Sequence, residues 1–214
     1  MSTPRVPPAP SILADGLARL NLALSPATQQ TLLDYVALVQ KWNTVYNLTA
    51  LRDTDKILTH HLLDSLAVTP YVLTAKTLLD VGSGAGLPGI PLALALPDMQ
   101  VTLLDSNHKK AAFLNQAVIE LKLHNVRVVC ERVENHQLKQ VFSVVVSRAF
   151  SDLPEFVEKA GSLVAPGGVL LAMKGVHPVA EIARLDGRFT LDSVTALTVP
   201  GLDAERHLVF LKAA

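Results

Sequence analysis

The chain has 214 residues, half of them hydrophobic, with 19 basic and 19 acidic side chains and no net charge at neutral pH. That length holds one sizeable core with an appended element, and the balanced charge excludes strong electrostatic capture of naked nucleic acid. No apolar run approaches the roughly 18 residues of a membrane span and the first 13 residues lack the apolar centre of a signal peptide, so a soluble cytoplasmic protein is expected.

Pro4, Pro7, Pro8 and Pro10 make residues 1–10 a disordered lead with no assigned function. Ser25 and Pro26 then give a helix start, serine as cap and proline at the first helical position. Leu32, Val36 and Val39, with Leu33, Leu38 and Trp42, recur at three- and four-residue spacing as far as Tyr46, which makes one face apolar. Tyr46-Asn47-Leu48-Thr49 ends that helix. A second helix is expected over residues 54–66, with Ile57, Leu58, His61, Leu62, Leu63 and Leu66 inward. Residues 11–75 thus read as an all-helical cap, and residues 76–214 as an α/β domain forming one unit with it. His60 and His61 are no metal pair, because adjacent residues point apart on a helix. His61 instead has a core or hydrogen-bonding role, and its three- and four-residue spacing to Asp64 and Ser65 suits a helix-to-sheet hydrogen bond.

Leu79 to Gly89 reads Leu-Asp-Val-Gly-Ser-Gly-Ala-Gly-Leu-Pro-Gly, and Val-Thr-Leu-Leu-Asp follows at 101–105. The run 77–81 fits a strand buried on both faces. Gly82, Gly84 and Gly86 let the backbone turn sharply and approach a ligand where a Cβ would collide. Asp105 closes the next strand 19 residues after Gly86, a spacing at which a carboxylate accepts hydrogen bonds from a ribose diol. Two nucleotide cofactors fit this pattern. Gly84 to Gly89 is itself G-x-G-x-x-G, the nicotinamide or flavin fingerprint. One register earlier, Asp80-x-Gly82-x-Gly84-x-Gly86 resembles the first motif of S-adenosylmethionine-dependent methyltransferases. Asp80 favours the second reading, because a carboxylate repels a pyrophosphate and attracts a cationic methionine moiety. Pro88 and Pro91 favour it too, by crowding the helix N-terminus whose N–H groups a pyrophosphate needs.

Further strands are expected at 100–105, 127–131, 141–147 and 169–174, with helices at 108–123 and 153–163 between them. Such alternation gives a mostly parallel, doubly wound twisted sheet with helices on both faces. Runs 189–198 and 206–212 flank Pro200-Gly201 and predict an antiparallel hairpin at the sheet edge, hence an antiparallel C-terminal strand. The single cysteine, Cys130, leaves no disulfide framework and no cysteine metal site, and is expected as a small buried hydrophobe. A basic stretch runs from His108 through Lys109, Lys110, Lys122, Arg127 and Arg132 to Lys139. Arg148 and Lys174 each end an expected strand at the edge where ligands sit.

Further words match one family: Trp42-Asn43, Tyr46-Asn47-Leu48-Thr49, His61-x-x-Asp64-Ser65-Leu66, the Leu87-Pro88-Gly89-Ile90-Pro91 extension of the glycine motif, Ser147-Arg148-Ala149-Phe150, Lys174-Gly175 and Glu205-Arg206-His207. Together, from about Leu32 to Lys212, the chain resembles the bacterial small-subunit ribosomal RNA guanine-N7 methyltransferases of the RsmG/GidB family. The resemblance implies a Rossmann-like S-adenosylmethionine-dependent methyltransferase with an N-terminal helical extension. It implies methylation of N7 of one guanine, guanine 527 by family expectation, in 16S ribosomal RNA. S-adenosylmethionine is then the cofactor and S-adenosylhomocysteine the product. Carried onto matching positions, the cofactor contacts are Gly82, Leu87, Val133, Glu134 and Arg148. Asp80, Gly84, Gly86 and Asp105 join them from the motif and ribose arguments. Lys109, Arg132, Lys174 and Arg206 are the candidates for RNA contact.

Guanine N7 carries a free lone pair at neutral pH, so no general base is expected, and Arg148 and Lys174 are positioning candidates. Alignment of the two reactants contributes on the order of 7–11 kcal/mol at best. Neutral charge fits a monomer that recognises a folded particle, the small subunit or an assembly intermediate, through a local patch. Three other readings stay open: a small-molecule methyltransferase, a nicotinamide-dependent oxidoreductase and a non-catalytic assembly factor.

Overall fold

The computed structural model describes residues 8–135, 140–148, 150 and 152–214. Residues 1–7 of the proline-rich lead, Lys139 of the basic stretch and Ala149 of the Ser-Arg-Ala-Phe word lie outside the described residues.

Two longer helices and a third built of short pieces precede the sheet among the described residues. Helix α1 (Ala9–Arg19) begins inside the expected lead, with Pro10 in its first turn and Leu13 and Leu17 buried. A proline there removes no helical hydrogen bond. In α2 (Pro26–Tyr46) the Ser25 side chain accepts from Thr28 N–H, and Asn47 ends the helix in the left-handed region. The expected second helix is three pieces: α3 (Thr54–Ile57), a π-helical turn over Leu58–Leu63, and α4 (Asp64–Leu66). Asp53 caps its start by accepting from Lys56 N–H.

Seven strands follow: β1 (Thr77–Val81), β2 (Gln100–Leu104), β3 (Val126–Val129), β4 (Phe142–Ser147), β5 (Val164–Lys174), β6 (Phe189–Ala196) and β7 (His207–Ala213). Between them lie α5 (Gly89–Ala95), α6 (His108–Glu120), α7 (Leu153–Ala160) and α8 (Val179–Ile182). The sheet order is β3-β2-β1-β4-β5-β7-β6. Strands β1 to β5 pair in parallel, and β7 lies antiparallel between β5 and β6. The hairpin expected at the edge therefore inserts its second strand inward. β5 starts at Val164, before the expected 169, because Phe142 pairs with Val164 across a bulge that takes up Gly167 and Gly168. At Gly168 a Cβ would stand 2.8 Å from Ser143 O, so the close approach there needs glycine.

Alternate residues of the central strands face two cores. Leu78, Val144 and Val146 pack with the cap, α5 and α6, while Leu79, Val145 and Leu170 pack with Leu153, Phe156 and Val157 of α7. Period-two burial on both faces is what near-continuous apolar strands produce in a parallel sheet. Cap residues Leu13, Leu32 and Leu62 share one core with Leu103 and Leu208, which fixes the cap over the sheet.

Candidate functional site

Strand order reverses between β1 and β4, and ligands of open α/β sheets lie beyond the carboxyl ends of the strands at such a point. Three cavities adjoin there. The first, about 300 Å³, is lined by Gly82, Asp105, Glu131, Arg132, Val133, Glu134 and Lys159 among others. The second, about 200 Å³, is lined by Leu48, Thr49, His61, Gly82, Gly84, Leu87, Lys110 and Arg148 among others. The third, about 430 Å³, holds His60, His61, Asp64, Arg148, Lys174 and Arg206 in its walls. Gly82 belongs to the first two, and Thr49, His61 and Arg148 to the last two, so the three form one groove.

The glycine turn is built by the backbone. Gly82, Gly84 and Gly86 all have positive φ, at 73°, 59° and 88°, a region that side chains with a Cβ avoid. Gly82 and Ser83 N–H donate to Leu104 O at 2.8 and 3.1 Å, which ties the turn to β2. Asp105 accepts from Gly84 N–H at 2.8 Å with one oxygen and from Asn107 N–H at 2.8 Å with the other. Each carboxylate oxygen keeps a further lone pair, and the residue lines the first cavity, so a ribose diol remains within its chemistry.

Asp80 and Gly86 line none of these three cavities; they support the turn from beneath. Asp80 is fully buried and accepts from Gly89 N–H at 2.8 Å, and its other oxygen has no partner among the described residues. Burial raises its carboxyl to about 7, against the opposing pull of that hydrogen bond and of Arg148. The N–H of Gly89, first in α5, is thus taken by Asp80. A pyrophosphate finds no free donor there, and β7 between β5 and β6 departs from the 3-2-1-4-5-6 order of dinucleotide-binding sheets.

Arg148, just past β4, is held by the cap. Its Nη1 donates to Asp64 Oδ2 at 3.2 Å and His60 O at 3.4 Å, and its Nη2 lies 3.3 Å from His61 Nδ1. His61 Nδ1 also lies 3.0 Å from His60 O, and its Nε2 lies 2.6 Å from Thr49 Oγ1, so contacts at both nitrogens hold the ring. Burial first, and Arg148 second, lower the His61 ring to about 4, which keeps it neutral. Among the described residues, His60, His61 and Asp64, which meet Arg148, come from the π-helical turn and the residue after it, a local form common at functional sites. On the far side Arg206 Nε meets Asp64 Oδ1 at 3.0 Å. Lys174 bonds Glu181 at 2.8 Å and Phe150 O at 3.3 Å, and Glu181 also accepts from Leu153 N–H at 2.8 Å. Lys174 thereby ties Phe150 and, through Glu181, the start of α7 to the end of β5.

Val133 and Arg132 line the first cavity with Glu134, whose carboxylate is 3.0 Å from Lys159. The backbone N–H of Glu134, and then Lys159, hold that carboxyl below its usual range. Lys109 is exposed on the first turn of α6 and lines none of the three cavities, whereas Lys110 beside it lines the second. Cys130 departs from expectation: it falls just past β3, is half-buried, and its Sγ is 3.2 Å from His108 Nδ1. Sequence reasoning names Lys110 only within the basic stretch and not as a residue of the groove. It missed Tyr35, whose phenol donates to Ala85 O at 2.6 Å. No local signal marks that contact, 50 residues away along the chain.

This sheet, with its inserted antiparallel strand and glycine turn at the switch point, defines the fold of the S-adenosylmethionine-dependent methyltransferases. Two solved structures share it: a SAM-dependent methyltransferase from Aquifex aeolicus, 17% identical with a TM-score of 0.60 over 74% of this chain and 93% of that one, and the O-methyltransferase TomG of Streptomyces achromogenes in complex with SAM, 17% identical with a TM-score of 0.59 over 95% and 96%. Residues 28–209 match the family described as rRNA small subunit methyltransferase G, GidB, and the chain belongs to that family. Relatives named ribosomal RNA small subunit methyltransferase G include that of Nitrosospira multiformis, 54% identical over 94% of this chain and 96% of its own, and that of Aromatoleum aromaticum, 56% identical over 94% and 97%.

Proposed function

We propose that this chain transfers the methyl group of S-adenosylmethionine to N7 of one guanine in 16S ribosomal RNA, acting as a cytoplasmic monomer on the small subunit or an assembly intermediate. One observation carries the reading. The groove runs without a break from the glycine turn to a basic chamber, and Arg148 stands in the wall common to both. None of the helices among the described residues is long and apolar enough to cross a membrane.

The residues fit the cofactor. A Cβ at Gly84 would meet nothing closer than 3.8 Å, so space lies open above the turn, and the first cavity is of a size that holds a nucleoside. Gly82 and Gly84 admit the cofactor against the backbone, Asp105 and Glu134 receive its ribose and adenine, and Arg148 meets its carboxylate. Asp80 acts from below, by fixing Gly89 and α5. When bound, S-adenosylmethionine supplies an electrophilic methyl group on a sulfonium.

The chemistry asks little of an acid or base. The N7 lone pair of guanine forms the new C–N bond as the methyl C–S bond breaks, and no proton leaves N7. The protein's share is alignment and exclusion of water, with Arg132, Lys174 and Arg206 as the RNA-facing cations. Cap and sheet act as one unit, since the cap orients Arg148.

The test is methyl transfer from labelled S-adenosylmethionine to small subunits lacking the modification, with strand cleavage at 7-methylguanine to map the product. Label at one guanine N7 is expected. Cofactor binding without label on the subunit would return the small-molecule and assembly-factor readings.

A further inference from the structure

We propose that Asp64 is a positioning residue that couples the cofactor half of the groove to its RNA half. The inference rests on the function proposed above and deepens it. Asp64 opens α4 in the cap and is 1% exposed, yet it has two cationic partners from the sheet domain, 84 and 142 residues further along the chain. One oxygen meets Arg148 at 3.2 Å and the other meets Arg206 at 3.0 Å. Arg148 lines both the second and third cavities, while of these two Arg206 lines the third alone.

The two guanidinium side chains stay 26% and 24% exposed, so each keeps donors turned to the groove while its inner edge is fixed. A guanidinium has five N–H donors, and Asp64 engages one from each. Two like charges on one wall repel, and the buried carboxylate between them offsets that repulsion. Because both its oxygens are engaged, Asp64 cannot follow one arginine without pulling the other. A phosphate drawing on Arg206 is therefore felt at Arg148, where the cofactor carboxylate is expected.

The experiment is calorimetric binding of S-adenosylmethionine, with steady-state methylation of unmodified small subunits and a thermal melt, on the full-length chain. Asp64→Asn is expected to raise the cofactor Kd and the subunit KM about tenfold each, with a smaller change in kcat. Arg206→Ala, although absent from the first two cavities, is expected to raise the cofactor Kd about fivefold. The double variant should bind the cofactor no more weakly than Asp64→Asn alone, since both changes act through Arg148. A lower melting temperature with wild-type Kd and KM in Asp64→Asn would assign Asp64 a purely structural role and overturn the proposal. So would losses that add in the double variant. Should Asp64→Asn fail to fold, Arg206→Ala still decides, because a wild-type cofactor Kd in that variant overturns the coupling. Failure of the wild type to label any subunit would refute the proposed substrate, while the cofactor Kd values would still decide the Asp64–Arg148 relation.

Discussion

The glycine turn and the N-terminal cap face each other across one groove, but they build their walls from contacts of opposite range. The turn is held by neighbours: Gly82 N–H on Leu104 O and Gly84 N–H on Asp105, about 21 residues apart in both cases. The cap acts at a distance, through Asp64 on Arg148 and Arg206 and through Tyr35 on Ala85. The first wall is set by backbone conformation, the second by side chains whose partners the chain supplies much later.

The largest expected effect breaks the first wall. Gly82→Val places a β-branched residue at φ of 73° in the turn shared by the first two cavities, a genuine outlier for such a side chain. S-adenosylmethionine should give no detectable heat by calorimetry, and normal binding would refute the role given to the turn.

That asymmetry also explains what the sequence could reveal. Glycines at positive φ, a strand-ending acid and a proline-rich helix start are local, so the motif, the cofactor class and the switch point are legible from residues 77–105. Alternating apolar runs announce β1 to β5, but the bulge that extends β5 back to Val164 depends on pairing with Phe142 and leaves no local mark. The π-helical turn at Leu58–Leu63 has the same apolar spacing as an α-helix and was invisible for that reason. The place of Asp80 beside the turn is readable from the sequence, whereas its burial and its bond to Gly89 N–H are not.

The two walls should differ in the sign of their response to pH. Asp80 is raised from 3.8 to about 7, so the folded chain keeps a proton that the unfolded chain has lost. Its contribution to stability is full below about pH 4 and disappears as pH rises through about 7. His61 is lowered from 6.5 to about 4, so the unfolded chain binds the extra proton. Its contribution is full above pH 6.5 and disappears as pH falls through about 4. The two slopes oppose each other in this window. Urea melts between about pH 4.5 and about 6.5 should show, relative to the wild type, Asp80→Asn becoming more stable as pH rises and His61→Asn less stable, by about 1–3 kcal/mol across the range. Identical slopes in the two variants would remove this distinction between the walls.

A smaller effect is expected where the cap touches the turn directly. Tyr35→Phe keeps the ring in the core and leaves the buried Ala85 carbonyl without its phenol donor. The loss should be about 1–3 kcal/mol of stability in urea melts, with weakened but measurable cofactor binding. No loss would mean that the phenol contributes nothing to holding the cap against the turn.

The smallest contrast separates two adjacent lysines at the rim. Lys109 projects from the first turn of α6 to solvent, and Lys110 reaches the second cavity, its Nζ 4.0 Å from where a Gly84 Cβ would stand. A cation that neutralises one phosphate contributes about 0.7–0.9 to the slope of log affinity against log salt. Lys110→Ala should reduce the slope for small-subunit binding by about that amount, whereas Lys109→Ala should leave it nearly unchanged. Equal reductions would place the RNA path over the outer face of α6 as well as along the groove. Lys109 in the basic stretch from His108 would then join the groove's cations in the RNA footprint.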